Sequence, residues 1–154
     1  MSSAVTAPTS CNWPEWNETR PGRFTSIRKE ILIDNRPESV WAAVRDVGAV
    51  HERLVPGFVV DTRLEDGARV VTFGNGLVAR ELIVDVDDAA RRLAWAVVGS
   101  PRLTHHNASM QVVADGEGRS RVIWIADLLP DASAGTIAGM IEQGLAVMKK
   151  TLER

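Results

Sequence analysis

The residues best suited to chemistry in this chain are two adjacent histidines, His105 and His106, and one glutamate, Glu81, all in stretches typical of β-strands. An imidazole and a carboxylate can together assist proton transfer near neutral pH. Side chains alternate between the faces of a strand, and the face that His106 shares with Met110 is the more apolar. We therefore expect His106 to point inward and His105 to point outward. Alternation leaves the direction of Glu81 open, because apolar residues occupy both faces of its strand.

Other common site types are missing from the sequence. Cys11 is the single cysteine, so an internal disulfide and a cysteine metal site are both excluded. Glycine-rich phosphate loops and nucleophile elbows are absent, and Gly74-Asn75-Gly76 joins two strands as a hairpin turn. We expect no metal ion and no cofactor, and we expect His51 to be solvated.

Composition narrows the class of protein. A chain of 154 residues is enough for one domain with its own core, and 45% apolar with 25% charged residues is typical of globular proteins. A net charge of −2 gives no reason to expect nucleic acid or an anionic membrane as a partner. Met1–Ser10 lacks the features of a secretory signal, and apolar runs of membrane-spanning length are absent. These features favour a cytoplasmic protein, either a monomer or a homodimer.

The pattern of elements predicts one domain over residues 26–154 after an extended or disordered arm at 1–25. A strand at Ser26–Ile33 is followed by a short helix beginning at Pro37 and a second over Val47–Leu54. Six more strands separated by glycine and aspartate turns come next: Phe58–Leu64, Arg69–Phe73, Leu77–Val86, Arg92–Val98, Leu103–Ala114 and Arg121–Leu129.

A long amphipathic helix over Asp131–Arg154 completes the pattern. Its apolar residues recur at helical spacing and form one stripe: Ile137, Met140, Ile141, Gly144, Leu145, Met148 and Leu152. Such a helix cannot bury its stripe alone. We expect its partner to be a curved antiparallel sheet, which makes the fold class α+β.

This order of elements, together with several dispersed residues, resembles the START/birch-pollen-allergen (SRPBCC) superfamily, and within it the bacterial polyketide cyclase/dehydrase and lipid transport branch. The residues concerned are Val40, Trp41, Asp46, Pro56, Gly57, Glu81, Asp87, Val122 and Trp124. The resemblance covers about residues 26–154. It implies a helix-grip fold, in which a seven-stranded antiparallel sheet wraps around the long C-terminal helix, two short helices follow the first strand, and a cavity holds an apolar molecule.

A local likeness adds a possible entrance. Arg102-Leu103-Thr104-His105-His106 and Arg80-Glu81-Leu82 are similar to segments of plant abscisic-acid receptors. The likeness implies that Gly74-Asn75-Gly76 and Gly99-Ser100-Pro101 stand where those receptors have their gate and latch loops. Counterparts of the receptors' cavity lysine and gate proline are missing here, so hormone binding is not implied.

The resemblance also implies that Glu81 points inward, which would place Glu81 and His106 on the cavity wall. Their strands flank the strand of Trp95, so the two groups should lie two strand spacings apart, roughly 10 Å. A carboxyl group in an apolar cavity should favour its protonated form. Two interpretations stay open at this point: the pair polarises a binding pocket, or it acts as acid and base in an enzyme.

The remaining candidates are apolar residues that either fill the core or line a pocket. The predicted ligand-binding residues are Phe58, Phe73, Glu81, Trp95, His106, Met110, Trp124, Met140, Ile141 and Gly144. Gly144 has two interpretations, since a mid-helix glycine either leaves room for a ligand or allows close packing on a bulky residue such as Trp124.

Three functions are compatible with these patterns. The first is binding or transport of a small hydrophobic ligand, lipid-like or polycyclic and polyketide-like. The second is a polyketide aromatase/cyclase-type enzyme that uses Glu81 and His106 as acid and base. The third is a filled domain that acts as an interaction module, with Trp13 and Trp16 in the contact.

Overall fold

A computed structural model describes residues 25–154 of the chain. The predicted arm at 1–25, with Trp13 and Trp16, lies outside this part of the chain except for Thr25, which begins the first strand.

Seven antiparallel strands form one sheet. The strands are β1 (Thr25–Ile33), β2 (Val59–Glu65), β3 (Ala68–Phe73), β4 (Val78–Asp87), β5 (Arg92–Val98), β6 (His105–Ala114) and β7 (Ser120–Leu129). Their spatial order is β1-β7-β6-β5-β4-β3-β2, so every neighbouring pair from β2 to β7 is a simple hairpin and β1 closes onto β7. This arrangement confirms the predicted helix-grip fold.

Helices close one face of the sheet. α1 covers Pro37–Arg45 and begins at a proline, which suits the first helical position. The long helix α2 covers Ala134–Leu152 and follows a short 3₁₀ turn at Asp131–Ser133, so it begins three residues later than predicted.

The second short helix differs from the prediction. It was expected over residues 47–54 and is a single π-helical turn at Val50–Leu54, in which the Val55 amide donates to the carbonyl oxygen of Val50 at 3.0 Å. The preceding amides of Val47 and Ala49 bond to the carbonyls of Arg45 and Asp46 as tight turns instead.

Alternation of side chains was a reliable guide to the inner face of the sheet. Val122 and Ala126 on β7 are fully buried, and Val112 on β6 is 1% exposed. On α2 the buried residues are Ile141, Gly144, Leu145 and Met148, which lie on the predicted stripe. Burial of these faces against each other is the main force that joins helix and sheet.

Polar contacts join the C-terminal end of α2 to the end of β1 and to the turn that follows it. The Asn35 side chain donates to the carbonyl oxygen of Leu152 at 2.8 Å, and Lys149 donates to the carbonyl oxygen of Leu32 at 2.7 Å. Lys149 also pairs with Glu153 one turn later at 2.6 Å. These contacts satisfy carbonyl groups that a helix end and a sheet margin leave without partners.

Candidate functional site

A cavity of about 530 Å³ lies between the sheet and α2, mostly along the N-terminal half of the helix. Strands β2 to β7, the π-helical turn and α2 all contribute to its walls, which are mostly apolar. Its volume is within the range of pockets that hold small molecules. The protein's own side chains therefore do not fill the interior at this end. The interaction-module hypothesis had assumed a filled interior.

The structure brings nearly all of the predicted ligand-binding residues together around this cavity. The lining includes Phe58, Phe73, Glu81, Trp95, His106, Met110, Trp124, Met140 and Ile141. These residues come from six different elements and the loop before β2, so the cavity depends on the whole fold rather than on one motif.

Gly144 is the exception, because it does not line the cavity. A Cβ atom built there would lie 3.1 Å from Cζ3 of Trp124 and 3.2 Å from Cε1 of Phe58. The glycine therefore lets α2 approach two aromatic rings closely, as the packing interpretation proposed. The rings themselves are the cavity wall, so Gly144 acts on the site only through them.

Two edge-to-face aromatic pairs stiffen the walls. The rings of Phe58 and Phe73 have centroids 5.4 Å apart at 78°, and those of Trp95 and Trp124 lie 5.9 Å apart at 61°. This geometry places the positive edge of one ring against the negative face of the other and adds to the stability of each pair. The result is a rigid, flat-sided apolar surface.

A buried ion pair interrupts this apolar lining. Nε of Arg69 lies 2.6 Å from Oε2 of Glu81, and their side chains are only 6% and 9% exposed. The guanidinium carbon of Arg69 lies 5.6 Å from the centre of the Trp95 ring, which its charge favours. The structure thus gives Glu81 a charged partner that the sequence analysis did not identify.

Sequence reasoning missed Arg69, although a signal for it was present. The hairpin turn is centred on Asn75, and Arg69 and Glu81 lie equally far before and after it. In the β3–β4 ladder the two residues are directly opposite each other. Counting back from the predicted turn would have paired them, because turn type sets the register of a hairpin.

His106 lies on the same wall as Glu81, two strands away. Glu81 pairs with Val97 on β5, and the β5–β6 ladder ends at Ala96 and Asn107, one step before His106 would face Val97. By this register the two residues stand two strand spacings apart, which corresponds to roughly 10 Å. A substituent or a bound water could lie between them, whereas a direct hydrogen bond is too short to reach.

The environment of His106 favours its neutral form. Burial lowers the pKa of His106, and the neighbouring His105 lowers it further. Its Nδ1 is enclosed and has no hydrogen-bond partner within residues 25–154, and the same is true of Nε1 of Trp124. A neutral imidazole can accept a proton from, or hydrogen bond to, a group held in the cavity.

The cavity reaches the surface where β4, β5 and α2 meet. Leu77 and Val78 after the first glycine turn, Ser100 and Pro101 after Gly99, and Thr136 on α2 all contribute to its margin. Gly76 and Gly99 have φ values of +88° and +71°, which favour glycine. The sequence had predicted an entrance between these two turns.

Two absences concern residues 25–154, the part of the chain that the structure covers. Within it, groups of three or more His, Cys, Asp or Glu placed to hold a metal ion are absent. Among its helices there is also none with the length and apolar character needed to cross a bilayer.

Residues 25–153 match the family model described as polyketide cyclase/dehydrase and lipid transport. The chain belongs to this family. The predicted likeness to the START/SRPBCC superfamily is thereby confirmed, and the family description covers both enzymes and lipid carriers. No curated protein matches the chain.

Solved structures show the same fold at low sequence identity. An uncharacterized protein from Bacillus thuringiensis aligns with a TM-score of 0.76 and 17% identity, covering 84% of this chain and 100% of the other. The di-domain ARO/CYC BexL from the BE-7585A biosynthetic pathway aligns with a TM-score of 0.69 and 19% identity, covering 84% of this chain and 46% of the other. A START superfamily protein from Mycobacterium smegmatis aligns with a TM-score of 0.63 and 12% identity, covering 83% of this chain and 94% of the other. At these identities the likeness extends to the fold alone.

Proposed function

We propose that this protein binds a small hydrophobic ligand, lipid-like or polycyclic, between its sheet and the N-terminal half of α2. The observation that carries the proposal is the cavity of about 530 Å³ with aromatic walls and an opening to the surface. Membership in a family that includes lipid transport supports the same function.

The energetics favour such a ligand. Each methylene group moved from water into an apolar site contributes about 0.8 kcal/mol, so a ten-carbon body contributes about 8 kcal/mol before the costs of association. A cavity of this size admits such a body, and its wall includes Met110 and Met140, whose flexible side chains adapt to irregular shapes.

Binding is tested with the neutral dye Nile red and the full-length protein. We expect saturable fluorescence enhancement with one dye per chain and a rise in melting temperature. Ala79→Trp places an indole in the cavity and should abolish binding, since Ala79 lines it. Val84→Trp is the matched control, because Val84 is 60% exposed on the sheet. Dye binding that survives Ala79→Trp, or no binding to the wild-type protein, would remove the proposal.

A second candidate is an aromatase/cyclase-type enzyme acting on polyketide-like chains. The observation that favours it is His106, which lines the cavity and has a lowered pKa, so that its neutral form is available as a base. Arg69 would then anchor a carbonyl group, and Glu81, which accepts from Arg69, would hold the guanidinium in place rather than act as a free acid. The cavity would fold the chain and bring its reacting carbons together.

Single-turnover assays with a cyclisable poly-β-keto thioester test this candidate. We expect His106→Gln to lower the rate of cyclisation strongly, whereas His105→Gln, on the opposite face of the same strand, should leave it nearly unchanged. Equal rates for the wild-type protein and both variants would leave ligand binding as the function.

A further inference from the structure

The Arg69–Glu81 pair is electrically neutral but not fully hydrogen-bonded. Within residues 25–154, Arg69 uses Nε toward Oε2 of Glu81 and Nη1 toward the carbonyl oxygen of Val47, at 2.6 and 3.5 Å. Nη2 of Arg69 and Oε1 of Glu81 have no partner in that part of the chain, and neither belongs to its fully enclosed unpartnered atoms. Both side chains line the cavity. One donor and one acceptor are therefore available to a ligand.

We propose that this ion pair makes the cavity selective for a neutral, oxygen-bearing apolar ligand, one with a hydroxyl or carbonyl group, and excludes carboxylates. The inference rests on the proposed binding function and specifies its ligand class. A hydroxyl group could accept from Nη2 of Arg69 and donate to Oε1 of Glu81 at the same time. A carbonyl group would use the arginine alone.

Exclusion of carboxylates follows from the charge that is already present. Without Glu81 the cavity would hold a buried cation, which is a natural partner for an anion. With Glu81 2.6 Å from Arg69, an entering carboxylate would meet one positive and one negative group and would lose its hydration without full compensation. Glu81 thus acts as a repulsive element against anions, which is a recognised way of obtaining specificity.

The other charged groups near the cavity do not reverse this balance. His106 has a lowered pKa and is neutral at neutral pH. Arg80 is engaged by Glu65 at 3.0 Å, with both side chains solvated. Arg102 lies at the exposed margin, where solvent screens its charge.

A purely apolar ligand is disfavoured for a different reason. It would cover Nη2 of Arg69 and Oε1 of Glu81 and offer neither of them a hydrogen-bond partner, and a buried polar group without a partner carries a free-energy cost. The ion pair therefore disfavours both carboxylates and purely apolar molecules as ligands.

Displacement of Nile red by three naphthalene compounds of the same ring size tests the inference at neutral pH. The compounds are 2-naphthol, 2-naphthoate and naphthalene. We expect 2-naphthol to compete about tenfold or more better than either of the others. Equal displacement by all three, displacement by none, or preference for 2-naphthoate while the dye still binds would overturn the inference and leave the proposed function standing. Absence of dye binding would overturn both.

Two variants assign the selectivity to the ion pair. Glu81→Gln removes the negative charge and should shift the preference about tenfold toward 2-naphthoate. Glu65→Gln is the matched control, because Glu65 also accepts from an arginine but lies outside the cavity lining. If Glu81→Gln does not fold, the double variant Arg69→Met with Glu81→Leu replaces both charges by apolar groups. This double variant should bind naphthalene and 2-naphthol with equal affinity. An unchanged preference for 2-naphthol would contradict the assignment.

Discussion

The two halves of α2 are built differently, although one sheet lies beneath both. In the C-terminal half, Leu145 and Met148 are buried, and of the residues there only Met148 also lines the cavity. Lys149 holds this end of the helix to Leu32 at the end of β1, and Glu153 accepts from the Asp34 amide in the turn that follows. In the N-terminal half, Ile137 and Met140 are only half-buried, although the adjacent Ile141 is 3% exposed, and all three line the cavity. The C-terminal half of the helix therefore mainly stabilises the fold, whereas the N-terminal half forms most of the helical wall of the cavity.

The largest expected effect is a difference in the free energy of unfolding between variants of the two halves of α2. Leu145 is 3% exposed, so Leu145→Ala should lower the free energy of unfolding by about 2–5 kcal/mol, through lost burial and a new void. Met140→Ala should cost under about 1 kcal/mol, because its side chain borders space that is already open. Urea denaturation of both variants measures the difference. Similar losses would mean that the two halves contribute equally to the core.

The inward-facing residues of the sheet and of α2 were predictable from the sequence, but the cavity between them was not. Alternation along β6 placed His106 and Met110 inward, and helical spacing identified the buried stripe of α2. A cavity could not be distinguished from a filled core, because the same apolar residues satisfy both. The difference depends on how strongly the sheet curves away from α2, which no local pattern encodes.

The partner of Glu81 was missed for another reason. Arg69 stands at the start of a predicted strand, where a charged residue is normally solvated, and its burial follows only from the register with Glu81. The packing role of Gly144 was likewise undecidable in advance, since it depends on where the rings of Trp124 and Phe58 lie.

A smaller effect is expected from the polar contacts at the anchored end. Asn35→Ala removes the hydrogen bond to the carbonyl oxygen of Leu152, and we expect a loss of about 1 kcal/mol. Hydrogen exchange should report faster opening of the last turn of α2 and unchanged exchange near Gly139. Faster exchange along the whole helix would show that the two halves unfold together.

The open half of α2 should tolerate a change that usually improves a helix. Gly139→Ala adds a methyl group in open space and should raise the free energy of unfolding by about 0.5–1 kcal/mol. Gly144→Ala gains the same helix propensity but crowds Trp124 and Phe58, so we expect a smaller gain or a loss. Thermal denaturation compares them, and a larger gain for Gly144→Ala would contradict the packing described here.

The smallest expected effect is a pH dependence that arises on the cavity side. The pKa of His106 is lower in the folded protein than in the unfolded chain, so below about pH 6.5 the unfolded chain binds more protons. Stability from this group is complete above that pH and is lost as the pH falls through the folded pKa. His106→Gln should flatten the slope of stability against pH between about pH 7 and about pH 5.

His105→Gln serves as the control for this titration. It should keep most of the slope, because burial lowers the pKa of His106 more than His105 does. An identical slope in the wild-type protein and His106→Gln would place the titration elsewhere.

The most direct test of the account is a crystal structure of the full-length protein grown with Nile red. We predict one dye molecule between the sheet and the N-terminal half of α2, in contact with Trp95 and Trp124, with the C-terminal half of the helix unchanged. A structure in which the dye is absent, and in which the aromatic side chains of the wall have closed over the volume, would contradict the claim that this space is a binding site.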